Sequence, residues 1–346
     1  MTAATSARIS TMIRPAASDG AAIVLEKVDK RFGATHAVKA MSLAVPRGSL
    51  CGFLGPNGAG KSTSIRMIMS IIYPDSGQVR VFGGSALGNK DRIGYLPEER
   101  GLYRTMRVLE FLTYMGKLKG LTPAAAAKRA NDWLARIELP NVAKKRCQEL
   151  SKGMQQKVQF IAAVLHDPEL LILDEPFSGL DPVNARLLMR LIEELHGDGR
   201  TIIFSTHQMH TAERLCDRVV LINRGEKLLD ATLDEVRAEF DPRTVVVELL
   251  SGAEAPRLES LAATMPHVAL TERVDGKNGD EWHVHVARDG DPQPVIAAIA
   301  GALPVRSIAL KQVSLEDVFV ELVTAGGGTV PPLSDPTTSG QEVNRG

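Results

Sequence analysis

Nine residues near the start of the chain constrain its fold more than any other feature. The segment GPNGAGKST occupies positions 55–63, and it matches the pattern G-x-x-x-x-G-K-[ST]. It follows an apolar, strand-like run, SLCGFL, and it precedes SIRMIMSII, which has helical periodicity. A strand, a glycine-rich loop and a helix in this order are typical of a phosphate-binding loop, or P-loop, in an α/β fold. The glycines let backbone N–H groups turn toward phosphate oxygens.

The P-loop residues have distinct predicted roles. Lys61 is expected to reach the β- and γ-phosphates of a nucleotide, and Ser62 to offer its hydroxyl to Mg²⁺. The following helix adds the favourable dipole of its N-terminus. An ordinary glycine-rich turn is the alternative, and the complete motif in its strand–helix context argues against it. The other loop positions predicted to contact the nucleotide are Gly55, Pro56, Asn57, Gly58, Ala59, Gly60 and Thr63.

Two later segments place further polar groups at strand ends. ELLILDEP (169–176) predicts a buried parallel strand that delivers two carboxylates at its C-terminal end. Asp174 is predicted to hold Mg²⁺ through water, and Glu175 to polarise an attacking water. A further strand-like run, TIIFST, is followed directly by His207, which could hydrogen-bond the γ-phosphate. The alternatives are a solvated turn for the acid pair and a structural role for the histidine.

The arrangement of apolar runs predicts the domain organisation. Residues 21–240 alternate strand-like and helical segments, which favours an α/β domain with a largely parallel core sheet. Within it, 101–165 is helical by periodicity and is predicted to be an insertion. Residues 243–325 have the order β-α-β-β-α-β and are predicted to form a small ferredoxin-like domain. Residues 1–20 and 326–346 are predicted to be disordered tails, although 1–20 could instead be an organellar transit peptide.

The composition excludes several other classes of protein. Lys plus Arg and Asp plus Glu both number 41, so charge gives no reason to expect a nucleic-acid partner. The cysteines Cys51, Cys147 and Cys216 are odd in number and widely spaced, which fits a reducing compartment better than a disulfide framework or a zinc site. No apolar run approaches the roughly 18 residues that span a bilayer. We therefore expect a soluble chain, or one held at a membrane by another protein.

The segment ELSKGMQQKV (149–158) predicts a second anion-binding feature. Ser151 and Gly153 come just before a helix predicted for about 154–166. Serine is a good N-cap, and helix N-termini bind anions. The segment could be a plain helix cap or a second phosphate-binding surface. The helical insertion carries it away from Lys61 of the same chain, so a second surface would need a nucleotide held elsewhere.

These motifs, in this order, resemble those of the ATP-binding cassette (ABC) ATPases over about residues 21–240. The resemblance implies a P-loop NTPase cassette that binds ATP and Mg²⁺. It also implies a second copy as partner, packed head to tail, with Ser151 and Gly153 of one subunit on the γ-phosphate held by the other. By the same resemblance Phe32 stacks on adenine, and the loop from Ser178 to Asp181 touches the opposite subunit.

The sequence departs from the family pattern at two places. The signature is LSKGM rather than LSGGQ, so Lys152 and Met154 are substitutions while Ser151 and Gly153 remain. Glu98 stands where the family commonly has Gln. A carboxylate could still ligate Mg²⁺, but it accepts hydrogen bonds only and cannot donate one to water or phosphate.

The resemblance also implies a class of transporter. The segment GYLPEERGLY matches the family's link to the membrane partner, and the small C-terminal domain ending SLEDVFVEL is similar to that of drug-, sodium- or lipid-export ATPases of the ABC-2 class. This implies a cytoplasmic exporter subunit, peripheral on the inner membrane face, with a separate permease and no nucleic-acid partner.

Two alternatives remain at this point. One is a soluble cassette acting on DNA or ribosomes. Only 90 positions separate Lys61 from Ser151, too few for the long coiled coil of chromosome-type cassettes, and the chain has one cassette where ribosomal types have two. The other is a cassette that has lost hydrolysis, against which the presence of Lys61, Glu175 and His207 argues.

Overall fold

The computed structural model describes residues 20–99, 101–241, 243–276, 279–287 and 289–325. The predicted tails, 1–20 and 326–346, lie outside the described residues apart from Gly20. The described chain forms two compact units, the first comprising residues up to 233 together with 319–325, and the second comprising residues 234–318.

The first unit contains two sheets and six helices among its described residues. Its strands are β1 (Ala21–Phe32), β2 (Thr35–Pro46), β3 (Leu50–Leu54), β4 (Ser76–Val81), β5 (Ile93–Leu96), β6 (Leu170–Asp174), β7 (Thr201–Thr206), β8 (Arg218–Asn223) and β9 (Glu226–Thr232). Its helices are α1 (Lys61–Ile68), α2 (Val108–Leu118), α3 (Pro123–Arg136), α4 (Lys152–Val164), α5 (Pro182–Gly197) and α6 (Met209–Leu215). Helix α7 (Leu233–Phe240) follows at the boundary between the units.

The larger sheet confirms the predicted parallel core. Its strand order is β5-β6-β7-β3-β8-β9, and every neighbouring pair is parallel except β8 and β9. Three of the parallel strands, β3, β6 and β7, coincide with the strand-like runs SLCGFL, ELLILDEP and TIIFST of the sequence, and they are buried along their whole length. Full burial explains their continuous apolar sequence, since both faces of a parallel sheet are covered.

The sequence analysis did not identify the second sheet, which is antiparallel with the order β2-β1-β4. Strands β1 and β2 form a hairpin in which Phe32 pairs with Thr35 across a two-residue turn. Gly33 occupies the left-handed region of that turn, with φ of 55°, as hairpin turns favour. Side chains from this sheet, from α1 and from the parallel strands share one apolar core, for example Val28, Ile65 and Ile203.

The predicted insertion is present as helices α2, α3 and α4. Helix α4 begins at Lys152 and ends at Val164, two residues earlier at each end than the sequence suggests. The reason is that Ser151 itself is the N-cap and accepts a hydrogen bond from the Met154 N–H, so the helix starts directly after it.

The second unit confirms the ferredoxin-like prediction. Its four strands form one antiparallel sheet in the order β11-β12-β10-β13, and apolar side chains such as Val247, Leu258 and Ile299 form its core. The elements are β10 (Thr244–Leu249), α8 (Ala255–Thr264), β11 (Val268–Gly276), β12 (Gly279–Val286), α9 (Pro292–Ala302) and β13 (Val305–Leu310). Helix α10 (Leu315–Ala325) crosses the boundary, since its residues from Phe319 onward belong to the first unit.

A search of the described residues finds no helix that combines the length and the apolar character needed to cross a bilayer.

A close approach between β5 and α4 provides a test of the packing. A Cβ added at Gly94 would come within 2.1 Å of the Ala163 carbonyl oxygen and 2.9 Å of Leu171 Cδ1. We expect Gly94→Ala to lower the free energy of unfolding by about 1–3 kcal/mol, as overpacking does, measured by urea denaturation. The control is Gly197→Ala at the end of α5, where a Cβ meets nothing within 4 Å. Equal effects of the two substitutions would contradict this packing.

Candidate nucleotide-binding site

The P-loop joins β3 to α1, and its glycines are required by close backbone contacts. Gly55 has φ of 150°, and a Cβ there would lie 2.0 Å from the Ile222 carbonyl oxygen of β8. Gly60 has φ of 107°, and a Cβ there would lie 2.4 Å from the Ala37 carbonyl oxygen of β2. Both values of φ disfavour L side chains. The loop is therefore closed against β8 on one side and β2 on the other.

Lys61 is the first residue of α1 and is only 5% exposed. Its ammonium group donates hydrogen bonds to the carbonyl oxygens of Gly55, at 2.8 Å, and Pro56, at 3.1 Å. It also lies 3.9 Å from Glu175 Oε1. Burial lowers the pKa of Lys61, and the nearby carboxylates, of which Glu175 acts most strongly, oppose that change. The loop thus holds a buried cation beside an acid pair.

Asp174, the last residue of β6, is 1% exposed. Its Oδ1 accepts hydrogen bonds from the hydroxyls of Ser62, at 3.1 Å, and Ser205, at 2.5 Å. Its Oδ2 is buried and has no hydrogen-bond partner within the described part of the chain. Because a buried polar atom without a partner is costly, this oxygen favours a bound cation. With the Ser62 hydroxyl it gives the oxygen ligands that Mg²⁺ prefers, so the residues fit a magnesium ion.

Glu175 occupies the turn that leaves β6, in the left-handed region with φ of 47°. Such a conformation costs of order 1–3 kcal/mol in a non-glycine residue and persists where its surroundings hold it. The Oε1 atom lies 3.1 Å from His207 Nδ1. Burial raises the pKa of Glu175, opposed by its contacts with His207 and Lys61. A buried carboxylate in contact with a histidine can accept a proton from water at neutral pH.

Ser205 is a site residue that the sequence analysis missed. Its hydroxyl donates to Asp174 Oδ1 and accepts from the backbone N–H of Glu175 at 3.0 Å. The side chain is completely buried. The sequence could have indicated this role, because Ser205 follows the apolar residues IIF in a strand predicted to be buried. A buried hydroxyl needs hydrogen-bond partners. Ser205 joins the backbone of one acid to the side chain of the other.

A cleft of about 580 Å³ opens beside the P-loop. Glu98, Glu175 and the loop residues from Asn57 to Thr63 line it, as the sequence analysis expects for a ligand site. His36 Nε2 lies 2.9 Å from both carboxylate oxygens of Asp29, and this contact lowers the pKa of Asp29. Lining residues that the sequence analysis did not anticipate come from β2 and from the turn after β8; they are Thr35, His36, Ala37, Lys39 and Arg224.

Eight predicted site residues are not among those that line this cleft: Phe32, Gly55, Pro56, Ser151, Gly153, Asp174, Asp181 and His207. Phe32 ends β1 beside Thr35, and it is 49% exposed. Ser151 is the N-cap of α4, and Gly153 lies within the first turn of that helix. Asp181 is the N-cap of α5 and accepts hydrogen bonds from two backbone N–H groups of that helix. Each of the two helix caps thus already serves a helix of its own chain.

Helix α4 is tied to both acidic loops by glutamines that the sequence analysis did not single out. Gln156 Nε2 donates to the Pro176 carbonyl oxygen at 3.1 Å, directly after the acid pair. Gln159 Nε2 donates to the Glu99 carbonyl oxygen at 3.2 Å, directly after Glu98. Both glutamines are buried. These two hydrogen bonds fix the position of α4, which begins within the LSKGM segment, relative to the C-terminal ends of β5 and β6.

The raised pKa of Glu175 predicts a pH-dependent stability. The folded protein binds the Glu175 proton more tightly than the unfolded chain does, so wild-type stability falls as pH rises above the ordinary value of 4.5 through the raised pKa. Glu175→Gln removes this loss. We expect its stability relative to wild type to increase with pH over that window, measured by urea denaturation of the nucleotide-free protein.

Asp181→Asn is the matched control for that measurement. Hydrogen bonds from Asn184 lower the pKa of Asp181 below its ordinary value of 3.8, so its titration lies under the window tested. The stability difference between Asp181→Asn and wild type should stay constant over that window. A Glu175→Gln difference that is equally constant would contradict the proposed burial of a charged carboxylate.

Two relatives match nearly nine-tenths of the chain, and a third matches about two thirds. An uncharacterized ABC transporter ATP-binding protein, YhaQ of Bacillus subtilis, is 38% identical over 306 residues, which cover 88% of this chain and 99% of that protein. A Nod factor export ATP-binding protein I of Burkholderia lata is 32% identical over 306 residues, covering 87% and 97%. The linearmycin resistance ATP-binding protein LnrL of Bacillus subtilis is 37% identical over 232 residues, covering 66% and 74%.

Solved structures of ABC ATP-binding proteins align with more than half of the chain. An ATP-binding subunit of an ABC transporter aligns with a TM-score of 0.59 and 32% identity, covering 63% of this chain and 92% of that one. The ATP-binding cassette MJ0796, in a dimeric post-hydrolysis state bound to ADP and Pi, aligns with a TM-score of 0.57 and 25% identity, covering 61% and 98%.

Family models match both parts of the chain. The model described as ABC transporter matches residues 38–178, which include the P-loop, the signature and the acid pair. The C-terminal domain of the ATP-binding protein DrrA1-3-like family matches residues 232–323. The resemblance found in the sequence is thereby confirmed. The chain belongs to the ATP-binding proteins of ABC transporters, which are ATP-hydrolysing cassettes.

Proposed function

We propose that the chain is the ATP-hydrolysing subunit of an exporter. Mg-ATP draws two copies together, hydrolysis separates them, and this cycle drives transport through a separate membrane permease. One observation carries the proposal. The cleft gathers the P-loop, Glu98 and Glu175, whereas Ser151 and Gly153 lie outside it. The names of two relatives, a linearmycin resistance protein and a Nod factor export protein, favour export.

Within one subunit, the P-loop binds the phosphates of ATP. The backbone N–H groups between Gly55 and Thr63 face the phosphate oxygens, and Lys61 contacts the β- and γ-phosphates by leaving its carbonyl partners in the loop. The N-terminus of α1 adds its dipole. Phe32, half-exposed at the edge of β1 beside Thr35 of the cleft, stacks on the adenine.

Ser62, Asp174 and Glu98 are the residues that would hold Mg²⁺. The buried Oδ2 of Asp174, which lacks a partner in the described residues, supports this assignment, as does the Ser62 hydroxyl 3.1 Å from the same carboxylate. Glu98 lines the same cleft. When bound, the ion would neutralise charge on the phosphate oxygens.

Glu175 and His207 supply the hydrolytic chemistry. Glu175 polarises the attacking water, a contribution typically worth about 10²–10⁴-fold in rate. His207 Nδ1, 3.1 Å from Glu175 Oε1, orients the carboxylate and leaves its other ring nitrogen for the γ-phosphate. Loss of that phosphate would remove a charge partner from both His207 and Lys61, so the site can sense hydrolysis.

The second subunit completes each site. Ser151 and Gly153 stand at the N-terminus of α4, a helix of 13 residues whose dipole favours an anion. Neither residue lines the cleft of its own chain. Asp181 lies in the loop expected to touch the opposite subunit. The dimeric form of the related cassette MJ0796 supports this arrangement.

The permease contact is assigned to the segment 94–103, which carries Glu98. Tyr103 in this segment is exposed and packs edge to face against Tyr114 of α2, so an exposed aromatic pair follows Glu98 closely in the chain. Arg100 lies outside the described residues. A permease of the ABC-2 class at the cytoplasmic face of the membrane fits this surface and the relatives better than DNA or a ribosome does.

Glu175→Gln tests the catalytic assignment. The substitution keeps the size of the side chain but removes its ability to accept a proton, so we expect ATP turnover to fall by about 10²-fold or more while ATP binding persists. Light scattering with excess Mg-ATP should show a trapped dimer, because the ligand joins two half-sites. The control is Glu194→Gln, an exposed carboxylate that pairs with Arg136. Full turnover by the Glu175 variant would contradict the assignment.

Glu98→Gln tests the carboxylate that replaces the family's usual glutamine. Removing a negative ligand should weaken the hold on Mg²⁺, so turnover should need a several-fold higher Mg²⁺ concentration while ATP binding stays unchanged. The measurement is a Mg²⁺ titration of ATPase activity. Glu99→Gln is the matched control, because the adjacent Glu99 side chain is exposed and pairs with Arg66. An unchanged titration for Glu98→Gln would remove Glu98 from the metal site.

A further inference from the structure

Three potential metal ligands meet on one face of the sheet in the second unit. His283 and His285 are two positions apart on β12, and Glu272 of β11 is the register partner of His283. One ligand atom from each residue lies within 4.8 Å of the others. Trp282 and Val284, which alternate with the histidines, belong to the apolar core. Since alternate residues of a strand face opposite sides, the three ligands occupy the face away from that core.

The placement of these residues suits a metal. His283 is only 7% exposed, so its imidazole is held on the sheet with little access to solvent. His285 Nε2 already lies 3.0 Å from Glu272 Oε1. Two imidazoles and a carboxylate are therefore collected at one place on the sheet.

A second hydrogen bond orients His285. Its Nδ1 lies 3.0 Å from the hydroxyl of Thr244 on β10, and Thr244 is completely buried. A histidine that ligates through Nε2 normally donates its other N–H to a fixed acceptor, which sets the tautomer and the ring orientation. Thr244 is placed to be that acceptor.

The surrounding charges also favour a cation. Glu281 Oε2 lies 3.8 Å from His283 Nε2 and offers a further carboxylate. Glu272 and Glu281 therefore bring two carboxylates to the two histidines.

We propose that Glu272, His283 and His285 form a binding site for a divalent transition metal, with Zn²⁺ as the ion best suited to its donors. Two imidazoles and one carboxylate favour zinc or a neighbouring transition metal, whereas Mg²⁺ and Ca²⁺ take oxygen ligands. The ion would fasten β11 to β12 and, through Thr244, to β10. The site is independent of nucleotide chemistry and would stabilise the second unit.

The test is a calorimetric titration of the full chain with Zn²⁺, without nucleotide and with excess Mg²⁺ to occupy oxygen-rich sites. We expect one Zn²⁺ per chain, and a visible d–d band when Co²⁺ replaces it. Glu272→Gln and His285→Gln should each weaken binding by at least about tenfold, and Thr244→Val by about 10–100-fold, as loss of an outer partner does. Thermal unfolding without metal checks that each variant is folded.

His267→Asn is the control, because His267 belongs to the same unit, is exposed and lies 3.6 Å from Asp289 Oδ1, outside the cluster. Its Zn²⁺ affinity should match wild type, and asparagine tolerates the left-handed backbone there. Absence of stoichiometric Zn²⁺ binding would overturn the proposal. Equal affinities in wild type, Glu272→Gln and His285→Gln would also overturn it and leave a plain ion pair between Glu272 and His285.

Discussion

The candidate nucleotide site depends on the hydrogen-bonded register of three neighbouring parallel strands. In that register Asp174 of β6 pairs with Ser205 of β7, and Leu54 of β3 pairs with Thr206. The residues that follow the three strands are therefore brought to one edge by backbone bonds alone. A slip of one residue would turn every side chain of a strand to its other face, and the Ser205 hydroxyl would no longer join the two acids.

This edge concentrates charge where solvent is largely excluded. Lys61 and Asp174 are buried there, and Glu175 is held in a strained conformation by the Ser205 hydroxyl and the His207 ring. Buried polar groups are costly unless they are paired, and Asp174 Oδ2 has no partner within the described residues, so a cation can bind there. Under the proposed function, these charges are positioned before a triphosphate and its metal would bind, as electrostatic preorganisation requires.

Local patterns predicted the strands, the P-loop and the acid pair because each is a contiguous segment with its own chemical reason. Other features depend on which strands become neighbours. The hairpin that brings His36 to the cleft, the hydroxyl of Ser205 between two acids, and the pairing of Glu272 with His283 all follow from register, which no short segment encodes. The start of α4 was predicted two residues late because Gly153 was placed before the helix, although Ser151 was considered as its cap and the helix begins directly after it.

The central claim is that each ATP is held between two copies of the chain, and mixing two inactive variants tests it most directly. Lys61→Ala breaks the P-loop, and Gly153→Asp breaks the signature. If the sites are composite, co-expressed variants form mixed dimers with one intact site, so turnover should return to about a quarter of wild type for random pairing in a two-fold symmetric dimer. If all required groups come from one protomer, no mixture contains an intact site, and turnover that stays at the level of the separate variants would contradict the account.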